Sequence, residues 1–322
     1  MGRAARRRSF PAVTAATFLT VGALVALAGA PAAASIAAPD DRPGRAAPTA
    51  LPTRAAAALP TLVGVRAYHR PGVDRVVFEL RGGLPARRTA TYVDRLISDG
   101  RGRSLRIAGR AILQVSMELA DAHDATGSTA PGRLAFALPN VLTVVRSGDF
   151  EGVVSYGIGL AKRTPFTVTT RTGPSRVVVS IRAGFPTVAR KVWFLDRDAF
   201  VAGTEPYFTP VTRPVRVRHK AAGLLDRVFA GPTATETAAG LRLLRSKARG
   251  WAGPDLSVAD DVARVRLTRS CSSGGSTVTV AGEIMPTLRQ LAAVDFVKIF
   301  APDGSTETPA GRSDSIPACL EP

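Results

Sequence analysis

The sequence is poor in the residues that most often assemble catalytic and metal sites. It holds two cysteines, three histidines and a single asparagine, Asn140, among 322 residues. No Gly-x-Ser-x-Gly elbow and no Cys/His pairing is present, so neither nucleophile arrangement can be built from local motifs. The histidines His69, His123 and His219 are widely separated. "DAHD" (Asp121, His123, Asp124) and "DRD" (Asp196, Asp198) lack the ligand count and spacing of a known metal site, and read as solvated turns. "GIGLAK" at 157–162 has neither the third glycine nor the helix of a dinucleotide turn. No cofactor and no metal is expected.

Long hydrophobic runs are scarce too. The one that exists spans residues 11–30, follows "GRAARRR" and precedes "PAAAS", the order of a secretory signal. Ala32 and Ala34 satisfy the small-x-small rule, so cleavage after Ala34 and an extracytoplasmic location are expected. An uncleaved single-span anchor is the alternative, because the run approaches the ~20 residues that cross a bilayer, and membrane association is expected only through it. Residues 35–60, "SIAAPDDRPGRAAPTALPTRAAAALP", have no hydrophobic period and read as a disordered tether.

Acids are outnumbered. Lys and Arg total 43 against 25 Asp and Glu, a formal charge of +18, and four of the arginines belong to the N-terminal signal. The remainder are scattered singly, with no aromatic-interleaved cluster and no nucleic-acid motif, so a nucleic-acid partner is not expected. Scattering of this kind beside heavy Ala and Gly usage reads as compositional bias. On an exported chain it would still attract anionic envelope polymers. Export also favours a bridge between Cys271 and Cys319; two free thiols are the alternative for a cytosolic chain.

What is present in abundance is β-type sequence. From Thr61 to about Gly184 the chain runs through "TLVGVRAY", "RVVFEL", "TATYVDRL", "SLRIAG", "AILQVSMEL", "NVLTVVR", "VVSYGIGL", "PFTVTT" and "RVVVSI", separated by Gly, Pro or Asp. That pattern predicts an antiparallel sandwich or barrel without helices over 61–184. In "RVVFELRG", Val76, Phe78 and Leu80 share one face. Over 188–322 strands alternate with helical spacing, as at Ala221, Leu224, Leu225, Val228 and Phe229, which predicts an α/β domain. "TVTVAGEIMPTLRQL" predicts a helix that Pro286 kinks or breaks.

Two segments attract a functional reading. "GDFEGVVSYGIGL" at 148–160 places Asp149 and Glu151 beside Phe150 and Tyr156, an aromatic-plus-carboxylate set that could grip a sugar or peptide. The competing reading makes Phe150 core and pairs Glu151 with an arginine. "GPTATETAAGL" at 231–241 carries Glu236, but Thr233 and Glu236 fit a Thr-x-x-Glu capping box, which accounts for the carboxylate without catalysis.

These segments carry a resemblance. Residues 62–184 resemble the AMIN-like domain of secreted actinobacterial proteins, through "DRVVFELRGGLP", "ADAHDATG", "GDFEGVVSYGIGL" and "RVVVSI". Residues 190–300 resemble the GerMN domain named after sporulation and germination proteins, through "VWFLD", "LLDRVFAGPTATETAAGL" and "TLRQLAAVDFVKIF". The resemblance implies a non-enzymatic envelope module that binds peptidoglycan or an associated anionic wall polymer, acting as scaffold or regulator. Ser180 and "RLLRSKARGWAGPDL" depart from the patterns, and no amidase domain is attached. Two alternatives stay open: an envelope hydrolase using Asp149, Glu151 and Glu236, and a protein-interaction module of sporulation or division machinery.

Overall fold

The computed structural model describes residues 58–322. The expected signal and nearly all of the expected tether lie outside the described residues. The described residues belong to one compact unit built around two separate hydrophobic cores.

The first part is all β. In chain order it comprises β1 (Thr61–Arg70), β2 (Val73–Arg81), β3 (Arg87–Val93), β4 (Ala111–Glu118), the short β5 (His123–Asp124) and β6 (Gly127–Ser128), β7 (Arg133–Ala135), β8 (Val141–Phe150), β9 (Val153–Leu160), β10 (Phe166–Thr172) and β11 (Ser175–Arg182). β1-β2-β11-β10 form one antiparallel sheet and β3-β4-β9-β8-β7 the other. Period-two alternation builds the core between them. Val76, Phe78 and Leu80 of β2 meet Leu113, Val115 and Met117 of β4 and Val154, Tyr156 and Ile158 of β9. The Phe78 and Tyr156 rings lie 5.4 Å apart across this core.

One expected strand is missing. "SLRIAG" at 104–109 makes only an isolated bridge through Ser104. Gly109 explains why it cannot join the ladder: it has φ +122 and passes so close to β9 that a Cβ would lie 2.5 Å from the Leu160 carbonyl oxygen. The segment therefore crosses the strand instead of pairing along it.

The second part mixes strands and helices: β12 (Thr187–Asp196), α1 (Arg197–Ala202), β13 (Phe208–Arg216), α2 (Lys220–Ala230), α3 (Ala234–Ala238), β14 (Leu241–Arg242), β15 (Ser257–Ala259), β16 (Val262–Arg266), α4 (Ala281–Arg289) and β17 (Phe296–Phe300). β13-β12-β14 and β15-β16-β17 form two small sheets, the second containing a parallel β16–β17 pair. The apolar stripe expected at 221–229 is α2, whose Leu224, Leu225, Val228 and Phe229 enter the second core. α4 begins later than expected and continues through Pro286. It tolerates the missing N–H because Ile284 and Leu288 are fully buried and anchor one face of the helix. Gly282 gives the Phe208 ring room, since a Cβ there would lie 2.2 Å from Cζ. Cys271 and Cys319 are disulfide-bonded and hold the C-terminal segment against the second core. Among the described residues no helix is long and apolar enough to cross a membrane.

The two cores are joined by α2. Leu142 of β8, Ala108 and Ala230 form a small apolar contact. Beside it the buried Arg227 donates to the carbonyls of Phe136, Leu138 and Pro139, at 3.2 Å for the first and last. That loop is braced from within the sandwich by the only asparagine. Asn140 donates through its backbone N–H to Asp74 at 2.6 Å, donates through its amide to Thr164 and Arg182, and accepts from the Lys162 N–H at 2.9 Å. A buried amide with all these groups engaged rigidifies its surroundings.

Candidate functional site

The segment singled out at 148–160 is the β8–β9 hairpin. Its two-residue turn has Glu151 at φ 51 and Gly152 at φ +69, the positive angles that fit a tight hairpin to twisted strands. The structure separates the four residues expected to act together. Tyr156 is fully buried: its ring packs on Phe78 and its hydroxyl donates to the Pro131 carbonyl at 3.0 Å. Burial pushes its phenol up to about 12. It is a core residue with its polar tip satisfied and cannot touch a surface ligand, which corrects its place in the expected set. The signal was available, because Val154, Tyr156, Ile158 and Leu160 alternate along β9.

Asp149 is also committed internally. It accepts from the Ala122 N–H at 2.9 Å and from His123 Nδ1 at 3.0 Å, with Arg146 3.5 Å away. The hydrogen bond and charge of Asp149 raise the His123 pKa. Asp121, His123 and Asp149 bring possible ligand atoms within 4.8 Å of one another. Asp149 already receives a backbone donor, the imidazole and a guanidinium, so few of its lone pairs are free for a cation. The arrangement pins residues 121–123 to the hairpin.

Phe150 and Glu151 behave differently. Phe150 is 62 % exposed, so it is not core as the competing reading required, and Leu119 beside the same turn is 55 % exposed. A Cβ on Gly152 would lie 3.9 Å from Leu119 Cα, which places both apolar groups at one end of the sandwich. Glu151 is exposed and has no ion-pair partner among the described residues. The hairpin therefore presents an aromatic ring and a free carboxylate on a braced turn.

Glu236 lies elsewhere, in the second part. Its carboxylate accepts from the Thr233 N–H at 2.8 Å while Thr233 Oγ1 accepts from the Glu236 N–H, which completes the expected capping box. The same carboxylate takes both amino groups of Arg213, a side chain only 2 % exposed. Burial opposes ionisation of Glu236, but the Arg213 guanidinium and the Thr233 donors outweigh it and hold the carboxyl below its usual range. Gly240, at φ +92, then lets the chain pass Asp198, where a Cβ would lie 3.0 Å from a carboxylate oxygen. Among the described residues no hydrogen bond or ion pair links Glu236 to Asp149 or Glu151.

A further concentration of charge escaped the sequence reading. A cavity of about 130 Å³ between the two cores is lined by Arg106, Arg110 and Arg133 from the sandwich and by Arg245, Arg249 and Trp251 from the second part. Arg110 stacks over Trp251 at 4.4 Å and pairs with Asp226 at 3.2 Å. Burial raises Asp226 to about 6, against the pull of Arg110. Along the chain these arginines are scattered, as the sequence shows. Only the crossing of 104–109 over β9 and the docking of α2 bring them together.

Residues 60–183 match the family model of the AMIN-like domain. That match suggests a peptidoglycan-associated envelope module for this β-rich region. No curated protein and no solved structure matches the chain.

Proposed function

We propose that this chain is an exported, non-enzymatic cell-envelope protein whose sandwich binds peptidoglycan or an associated anionic wall polymer, as a scaffold or regulator. Phe150 carries the reading. A large aromatic residue held exposed on a braced two-residue turn, next to an unpaired carboxylate, is placed to stack on a sugar ring while Glu151 accepts from its hydroxyls or from a peptide amine. The AMIN-like match over 60–183 supports the wall as the source of that ligand. The non-catalytic reading is supported by the commitments of Asp149 and Glu236 to internal donors. The second part is assigned to a GerMN-like module on the residue patterns at 190–300.

The test is co-sedimentation of the full chain with isolated sacculi, beside Phe150→Ala and Glu151→Gln. A central aromatic anchor is worth about 1–2 kcal/mol or more. Phe150→Ala is therefore expected to lower retention roughly tenfold without changing the unfolding temperature. Retention of both variants at the level of the parent chain would overturn the assignment of the hairpin as the contact.

A further inference from the structure

The cavity between the two cores has a charge balance that the protein does not close by itself. Among the described residues Arg106, Arg133, Arg245 and Arg249 have no carboxylate partner. Asp226, the one acid in the cavity wall, is paired with Arg110. Glu283 stands behind Arg245, but its burial drives it strongly toward the neutral acid, so it supplies little counter-charge.

Three of the four guanidinium groups are nonetheless positioned. Arg133 donates to the Arg106 carbonyl at 2.7 Å, Arg249 to the Ser104 carbonyl at 3.1 Å and Arg245 to the Phe229 carbonyl at 3.5 Å. One bond each leaves most of the five N–H donors of a guanidinium unused. Burial and then the neighbouring arginines weaken the basicity of Arg133 and Arg245, the mark of cations held together without a counter-ion.

We propose that this cavity binds a phosphate group. A phosphate group offers guanidinium forks more acceptor oxygens than a carboxylate does, and as the free ion or a monoester it also brings close to two negative charges. Its tetrahedral oxygens can accept from guanidinium forks approaching from the sandwich and from the second part at once. The cavity volume of about 130 Å³ is well above the ~10–15 Å³ that admits one water, and leaves room for one phosphate group. Because donors come from both sides, the bound group ties the two cores together. The site stands apart from the hairpin, so Phe150→Ala is expected to leave phosphate binding unchanged, and failure of either proposal can be told from failure of the other.

The experiment is calorimetric titration of the full chain at fixed ionic strength, with thermal unfolding in parallel. Three phosphate probes are used: inorganic phosphate, glycerol phosphate and a glycerol-phosphate oligomer; acetate is the comparison. Saturable binding of phosphate, weakened at least tenfold in Arg133→Gln and in Arg245→Gln, is the expected result. Binding of the free ion alone assigns free phosphate, and equal binding of the oligomer assigns a polymer-borne group; each supports the site. Arg245→Gln is the safer variant, since its one long hydrogen bond contributes little to folding; its unliganded unfolding temperature should stay level or rise. Acetate binding as tightly as phosphate, variants that bind like the parent, or stabilisation that chloride reproduces at matched ionic strength would each overturn the proposal.

Discussion

Replacing Glu236 by alanine separates the structural from the catalytic reading of the most conspicuous acid. The change removes the reciprocal bond of the capping box and both carboxylate oxygens to which Arg213, 2 % exposed, donates, leaving that guanidinium the Thr212 carbonyl. Breaking a buried pair from one side costs about 3–5 kcal/mol, because the remaining charge is desolvated and unpaired. Glu236 keeps some contact with solvent, its side chain being 21 % exposed. The lower part of that range is therefore appropriate, and loss of the reciprocal bond from the Thr233 N–H adds ~1 kcal/mol. The expected destabilisation is about 4 kcal/mol, or a fall of roughly 8–16 °C in Tm for a unit of this size. Urea and thermal unfolding followed by circular dichroism measure it. Adding Arg213→Met should recover about 2–3 kcal/mol relative to additivity, since the stranded cation is removed too. The pH dependence has a definite sign. The folded-state pKa of Glu236 is depressed below the ordinary 4.5. Its contribution is therefore complete above that value and lost as pH falls through the folded value, so the parent and Glu236→Ala stability curves converge in acid. A destabilisation below 1 kcal/mol at pH 7 would refute the reasoning.

Two further outcomes follow from the second part. The Cys271–Cys319 bridge closes a sequence separation of 48 residues. The chain-entropy relation gives about 4 kcal/mol for that loop, to be read as the difference in unfolding free energy between the parent and a Cys271→Ser/Cys319→Ser double variant. Asp226 has a folded-state pKa raised from 3.8 to about 6 by burial, with Arg110, Trp251 and Arg227 opposing. Stability from this group is full below its unfolded value and is lost as pH rises through about 6, a step on the order of 3 kcal/mol. Asp226→Asn should flatten that step in a pH series of denaturant midpoints; an unchanged step would assign it to another group.

The fold was legible where one periodicity decided the matter. β2 alternates and its inward face is core; residues 221–229 follow the helical period and form α2. Gly231 ends α2, and Thr233 with Glu236 opens α3, because caps are local chemistry. Tyr156 was misplaced despite a readable pattern: its type invited a ligand role, while its parity with Val154 and Ile158 put it inside. Phe150 could not be placed from parity, since exposure at a hairpin end depends on what packs beside the turn. The arginine cavity had no local signal. Its members come from a loop crossing β9, from β7 and from the segment after β14, and only the packing of α2 against β8 makes them neighbours. Pro286 shows the reverse case, a local rule overridden by burial of the helix around it.

The central claim is that the sandwich carries a shaped site for wall material. It is tested most directly by co-sedimentation of the full chain with isolated sacculi across a salt series. Screening shortens the reach of exposed charges to about 8 Å at physiological ionic strength and further above it. A shaped site predicts a salt-resistant fraction of pelleted protein that disappears in Phe150→Ala. Complete loss of pelleting in salt, with Phe150→Ala indistinguishable from the parent at every concentration, would contradict the claim and leave only the net positive charge.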